Sequence, residues 1–202
     1  MVESQLRRRG IHDGRVLEAM LRIPRHEFVP EGYKSQAYED HPIPIGEDQT
    51  ISQPFIIAVS LQALGLEGTE VVLEVGTGSG YQAALLAVLA RTVHSIERFA
   101  TLAHSAEIIL SRLGLNNVKV VVGDGSHGLQ EFAPFDAILV SAAAPSVPQS
   151  LLDQLSDKGR MVIPVGPPQA QELRLVRKQE GRVIAKVLEG CRFVPLIGVE
   201  GY

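Results

Sequence analysis

Val71-Val72-Leu73-Glu74-Val75-Gly76-Thr77-Gly78-Ser79-Gly80-Tyr81 is the stretch on which the reading of this chain turns. A short apolar run breaks into alternate glycines and then resumes as a helix-compatible pattern. Glycines at such a turn permit positive φ and let backbone N–H groups approach a ligand that any side chain would hold off. The stretch therefore reads as the first strand and nucleotide-binding turn of an α/β fold, with a ligand over the turn. A dinucleotide fingerprint runs G-x-G-x-x-G/A. Here Tyr81 occupies its last position and Gly80 makes the spacing G-x-G-x-G, which argues against NAD.

Outward from this turn the chain alternates. After Gly68 we expect a strand over 70–75, a helix over 79–90, a strand over 92–97, a helix over 99–113 and a strand over 118–122. That order implies parallel strands joined by right-handed crossovers. A fourth strand is expected over 135–140, a helix over 147–155 and a fifth strand over 160–165. Residues 172–178 and 183–188 then alternate apolar with polar around Gln179-Glu180-Gly181-Arg182, the pattern of an antiparallel hairpin. The expected fold class is α/β and Rossmann-like: a mostly parallel sheet with helices on both faces and a C-terminal antiparallel hairpin. Ala83, Ala84, Leu86, Ala87, Leu89 and Ala90 are read as core.

Before the turn, Val16, Leu17, Met20 and Leu21 share one face of a helix over 13–23, with Asp13 as cap and Pro24 as stop. Pro30, Pro42 and Pro44 interrupt residues 28–49, which read as a long irregular surface connection. An apolar helix over 55–64 follows and Gly65 can end it, so Ser52 is expected at a helix N-terminus, where serine is a preferred cap. One domain over 1–202 is expected, with 1–53 a helical and loop extension that contributes to the active site.

Composition excludes several classes of function. Across 202 residues, 19 basic against 23 acidic side chains leave a net charge of −4, and the one basic cluster, Arg7-Arg8-Arg9, has no interleaved aromatics. A nucleic-acid face is not expected. The single Cys191 cannot form an internal disulfide, and Met1-Val2-Glu3-Ser4 opens without an apolar signal region, so a reducing cytoplasm is expected. No apolar run reaches the ~20 residues of a membrane span. The six histidines are dispersed, and no metal site is expected.

In open α/β sheets ligands bind beyond the carboxyl ends of the strands. Glu97 ends the second strand, where a carboxylate can accept from both hydroxyls of an unphosphorylated ribose. Asp124, between Gly123 and Gly125 at the third strand end, can accept from an adenine amino group; alone it would read as an ordinary Asp-Gly turn. The fourth strand end, Ser141-Ala142-Ala143-Ala144-Pro145, lacks the D/N-P-P-aromatic pattern of enzymes that methylate amino groups of bases. The G-x-G-x-G turn with its preceding acidic residue resembles motif I of S-adenosylmethionine (SAM) methyltransferases.

Gln49-Thr50-Ile51-Ser52-Gln53-Pro54, Leu73 to Tyr81, Pro134-Phe135-Asp136-Ala137-Ile138 and Arg192-Phe193-Val194-Pro195-Leu196 together resemble the protein-L-isoaspartate O-methyltransferase family, over about Gly10 to Gly198. The Thr-Ile-Ser-Gln-Pro run is the most specific part. The resemblance implies Ser52 as the active-site serine and SAM as cofactor, with S-adenosylhomocysteine as its product. It also implies Gly76, Thr77, Gly78, Gly80, Tyr81, Glu97, Arg98, Asp124 and Gly125 as cofactor contacts, and Thr50, Ile51, Gln53, Val194 and Pro195 as substrate contacts. The implied partners are damaged proteins with isoaspartyl sites, met by a monomer and repaired through a succinimide. Ser141 departs from a common threonine, Ile197 stands where some relatives carry threonine, and the N-terminal stretch is short for the family.

An α-carboxylate is already ionised near pH 7, with a pKa of ~3.3–3.7, so methyl transfer to it needs no general base. Positioning must carry catalysis, worth roughly 7–11 kcal/mol in favourable systems. A helix starting at Ser52 would offer the carboxylate free N–H groups and a favourable dipole. Two readings compete with the repair enzyme: a non-catalytic SAM-binding module, and a methyltransferase of small carboxylic acids or RNA. The intact Thr50 to Gln53 run counts against the first and the acidic balance against RNA.

Overall fold

The computed structural model describes residues 1–202. Short helical turns over Val2–Leu6 and Arg7–Arg9 lead into helix α1 (Gly14–Arg22), whose first N–H groups, from Arg15 and Val16, bond the Asp13 carboxylate. Val16, Leu17, Ala19 and Met20 are buried, whereas Leu21 is 67% exposed. The buried stripe is centred on Val16, Met20 and Ile23, and Leu21 falls past its edge.

Residues 28–49 are more regular than expected. Two 3-10 helices (Arg25–Phe28 and Glu31–Gln36) precede an antiparallel hairpin of strands β1 (Ile43–Gly46) and β2 (Gln49–Ile51). Pro44 is tolerated because its strand pairs on one side only. The turn places Glu47 and Asp48 at φ of 50° and 54°, the left-handed pair that a two-residue hairpin requires, but without the Asn-Gly signal that would announce it.

Helix α2 (Pro54–Leu64) starts with proline in its first turn and ends at Gly65, left-handed at φ 55°. Ser52 lies one residue before the N-cap, Gln53, and neither side chain caps the helix. The cap comes from a distance: Asp40 Oδ1 accepts from the Phe55 N–H (3.1 Å), while Oδ2 accepts from Gln53 Nε2 (2.8 Å). The capping that serine could have supplied at this helix start comes from Asp40 instead.

The sheet comprises β3 (Val71–Val75), β4 (Thr92–Glu97), β5 (Val118–Val122), β6 (Phe135–Val140), β7 (Leu155–Val165), β8 (Gln171–Gln179) and β9 (Arg182–Cys191), in the order β5-β4-β3-β6-β7-β8-β9. The first five pair in parallel, and β8 and β9 continue antiparallel as a hairpin turning at Glu180-Gly181. β7 begins at Leu155, earlier than expected, so helix α5 is only Gln149–Gln154. Helices α3 (Tyr81–Leu89) and α4 (Ala100–Arg112) make the crossovers from β3 to β4 and from β4 to β5.

Strand alternation divides the core between the two faces. Val72, Val93, Ala137, Leu139 and Val162 pack with α1, α2, α3 and the N-terminal segment. Leu73, Val75, Ile96, Ile138, Val140, Met161 and Ile163 pack with Leu151 of α5 on the other face. The strand order reverses at β3, which puts the glycine turn at the topological switch point, where crevices form.

Asp40→Ala should lower unfolding free energy by ~0.5–2 kcal/mol in urea denaturation, the cost of a lost cap. Ser52→Ala should leave the midpoint unchanged, since its hydroxyl caps nothing.

Candidate active site

Backbone bonds align the strand ends. Gly76 N–H donates to the Ile96 carbonyl (2.9 Å), Ser141 N–H to Val75 (2.8 Å) and Gly123 N–H to Glu97 (2.9 Å). The ends of β3, β4, β5 and β6 thus form one rim. Gly76, Gly78 and Gly80 all take positive φ (91°, 54° and 89°), so the turn needs glycine for conformation as well as for space. A Cβ on Gly80 would stand 3.0 Å from that of Ala106, so this glycine serves the packing of α3 on α4.

Glu97 holds the turn in place. Its Oε2 accepts from Gly78 N–H (2.8 Å) and its Oε1 from Phe99 N–H (3.0 Å), at 5% exposure. An ionised carboxylate offers about four lone-pair sites, so two remain for a ligand hydroxyl pair. Behind the turn, Thr77 Oγ1 and Ser95 Oγ are 2.5 Å apart, Ser95 Oγ donates to Glu74 Oε2 (2.5 Å), and Gln82 Nε2 donates to Glu74 Oε1 (3.3 Å) and to Ser141 Oγ (2.6 Å). Burial raises the Glu74 pKa to about 8, only partly offset by Ser95 and Gln82, so Glu74 is mainly a neutral acid at pH 7.

A cleft of about 770 Å³ opens over the rim. Of the expected residues, Thr50, Ile51, Ser52, Gly76, Thr77, Gly78, Tyr81, Glu97, Arg98, Gly125, Val194 and Pro195 line it. A second hollow of about 760 Å³ adjoins it and is bordered by Gln53 together with Cys191, Arg192 and Phe193. Thr50, Ser52, Ser141 and Val194 border both. The β1–β2 hairpin reaches over the turn: Ile45 Cδ1 lies 3.2 Å from where a Gly78 Cβ would be, and Glu47 accepts from Thr101 Oγ1 (2.6 Å). Val194-Pro195-Leu196 is tied to the end of β6 by Ala143 N–H to the Val194 carbonyl (2.8 Å) and Leu196 N–H to the Ala143 carbonyl (2.7 Å).

Gly80 and Asp124 line neither hollow. Asp124 Oδ1 accepts from Ser126 N–H (2.9 Å) and Oγ (2.7 Å), and Oδ2 from Val199 N–H (3.1 Å). Burial pushes its pKa up, but these donors outweigh it and hold the carboxyl below its ordinary value. The carboxylate expected to face adenine instead clasps the C-terminal segment behind Gly125. Conversely, Gln82, Ile96, Phe99, Ser141, Leu196 and Ile197 line the cleft. Of these, Gln82, Ile96 and Phe99 are not singled out by the sequence reading; the available signals are the place of Gln82 one residue after Tyr81, in the first turn of α3, and the places of Ile96 and Phe99 on either side of the β4 end.

Ser52 contributes its carbonyl, which accepts from Arg25 Nη2 (2.8 Å), while its hydroxyl makes no hydrogen bond. The helix behind it offers less than expected, because Pro54 has no N–H and the Phe55 N–H is taken by Asp40. No group of three or more His, Cys, Asp or Glu side chains could hold a metal ion, and no helix is long and apolar enough to cross a membrane.

Bare backbone at Gly76 and Gly78, the Glu97 carboxylate beside it and the wall of Ile96 and Phe99 fit a nucleoside carrying an amino-acid chain. With that turn at the switch point of a parallel sheet that an antiparallel hairpin completes, the fold is that of the SAM-dependent methyltransferases. The family model "Protein-L-isoaspartate(D-aspartate) O-methyltransferase (PCMT)" matches residues 1–201, and the chain belongs to that family. It is 57% identical over 202 residues to a protein-L-isoaspartate O-methyltransferase of Koribacter versatilis, covering 100% of this chain and 91% of that one. A solved protein-L-isoaspartate O-methyltransferase superposes at TM-score 0.86 with 31% identity, covering 96% of this chain and 64% of that one. A Plasmodium falciparum protein described by the same activity, solved with S-adenosyl-L-homocysteine, superposes at TM-score 0.83 with 28% identity, covering 95% and 94% of the two chains.

Because folding raises the Glu74 pKa to about 8, the native state holds a proton that the unfolded chain releases above its carboxylate pKa of ~4.3. Its contribution to stability is therefore greatest below that value and is lost as pH rises toward 8. Scanning calorimetry from pH 5 to 9 should show a decline in Tm that Glu74→Gln flattens.

Proposed function

We propose that this chain transfers a methyl group from SAM to the free α-carboxylate of isoaspartyl residues in damaged proteins, starting their repair through a succinimide. The observation that carries this reading is the Ser52 hydroxyl, free of intramolecular partners and set on the wall that the two hollows share. Gly76, Thr77, Gly78 and Glu97 would hold the cofactor's amino-acid and ribose parts, and Ile96, Phe99 and Gly125 its base. Bound there, SAM supplies an electrophilic methyl group. Tyr81 and Arg98 complete that cleft, while Gly80 and Asp124 act through the backbone behind it.

On the acceptor side, Ser52 donates to the carboxylate and Thr50, Ile51, Gln53, Val194 and Pro195 receive an extended peptide. The acceptor is ionised at neutral pH, so no residue has to remove a proton, and orientation is what the side chains contribute. Gln82 bonds Ser141 from behind and fixes the shared wall. We place the enzyme in the cytoplasm as a monomer acting on proteins rather than nucleic acids or membranes, a setting that suits its single unpaired Cys191.

Incubation with SAM and matched isoaspartyl and aspartyl peptides should give base-labile methyl ester on the first only; equal labelling of normal aspartate would remove the repair assignment. Ser52→Ala should lower turnover about 10- to 1000-fold, the upper end for one lost donor, with S-adenosylhomocysteine affinity unchanged. Full turnover in that variant would transfer carboxylate recognition away from Ser52. Glu97→Ala should weaken S-adenosylhomocysteine binding in calorimetry by about 1.5–3 kcal/mol, the range for hydrogen bonds to a charged group.

A further inference from the structure

Arg25 is 0% exposed, and such a guanidinium is costly to bury without a counter-charge. None of the structure's ion pairs includes it. Its Nε donates to the Ala37 carbonyl (2.7 Å) and its Nη2 to the Ser52 carbonyl (2.8 Å), while Nη1 has no partner. The guanidinium carbon lies 4.8 Å from the centre of the Tyr81 ring, which lines the cleft and whose hydroxyl is also unpartnered. Burial lowers the Arg25 pKa to about 10, against the opposing pull of Tyr81 and Asp40, which leaves it cationic at neutral pH.

The neighbouring charges do not replace it. Asp40 lies close enough to offset part of the Arg25 charge, but its oxygens bond Arg9, Gln53 and the Phe55 N–H rather than the guanidinium, and it sets a negative charge against the start of α2. The attraction that a helix N-terminus would exert on an acceptor carboxylate is thus already spent on Asp40. Arg98 and Arg192 line the two hollows but are exposed, where solvent screens them.

We propose that Arg25 is a positioning residue for the acceptor: its bond to the Ser52 carbonyl sets the Ser52 hydroxyl, and its charge, bonded to no carboxylate and only partly offset by Asp40, draws an anionic acceptor to the shared wall. This rests on the proposed carboxylate methylation. The acceptor's charge disappears when it becomes an ester, so a cation behind Ser52 favours bound substrate over bound product. Its electrostatic share therefore belongs to substrate affinity and product release rather than to acceleration of the methyl-transfer step.

The test uses the full chain saturated with S-adenosylhomocysteine, with calorimetry of an isoaspartyl peptide, its α-methyl ester and its α-amide. Wild type should bind the acid more tightly than the amide; equal affinities overturn the proposal without any variant. Arg25→Met should weaken the acid about 10-fold, the scale of one partly screened charge, and leave ester and S-adenosylhomocysteine affinities within about twofold. Equal loss for acid and ester would reduce Arg25 to packing, and unchanged acid affinity would also overturn it. Arg25→Lys, which keeps the charge but lacks the fork that spans both carbonyls, should restore acid affinity while turnover stays below wild type. Failure of the wild type to methylate the isoaspartyl peptide would instead refute the functional reading itself.

Discussion

The two hydrogen bonds that Glu97 accepts, from Gly78 and from Phe99, are the constraint on which the cleft depends. A turn with glycine at three alternate positions has much conformational freedom to lose, and its N–H groups need acceptors once the strands pack around them. A carboxylate at the next strand end meets both needs, because charge-assisted bonds are roughly twice as strong as neutral ones. It also ties β3 to the start of α4, so one side chain sets the separation between the glycine turn and the apolar wall of Ile96 and Phe99. A neutral side chain there would hold the backbone less firmly and leave fewer free lone pairs beside it.

The wall that carries Ser52 is organised by the N-terminal segment. Asp40 fixes α2 and Gln53, Arg25 fixes the Ser52 carbonyl, and the β1–β2 hairpin lays Thr50 and Ile51 along the cleft. These groups come from separate short elements of the segment, yet their hydrogen bonds converge on residues 50–55. Ser52 can thus leave its own hydroxyl free, since every structural task around it is done by another residue. A capping serine would have its oxygen committed to the helix.

Much of this architecture was legible because it is periodic. The βαβ alternation, the glycine turn and the C-terminal hairpin follow from apolar spacing and turn residues, and the order of strand ends follows from parallel topology. The β1–β2 hairpin escaped notice because Glu47 and Asp48 occupy a turn usually marked by glycine or asparagine. Four-residue spacing from Leu17 puts Leu21 on the buried face only if the stripe is wide, and here the stripe is too narrow to reach it. Asp124 lies at the strand end that topology gives it, but whether a carboxylate faces the cleft or the C-terminal segment depends on Ser126 and Val199, which sequence spacing does not reveal. Arg25 carries no signal in the sequence, since burial of a lone arginine leaves no periodic trace. The run from Thr50 to Pro54 carried meaning only through resemblance, since its spacing alone is that of a helix start.

The wall bordered on both sides by Thr50, Ser52, Ser141 and Val194 has a consequence for traffic through the enzyme. It is a partition common to neighbouring rooms rather than a corridor that a guest must walk through. With a polypeptide in the second hollow, as proposed, only the group to be methylated has to meet that partition, and the rest of its length stays on one side. A damaged site buried midway along a long unfolded segment and one beside a free end would then present the same object at the partition. On this arrangement, local slack in the client chain, enough to let a few residues lie extended, matters more than its size or overall shape.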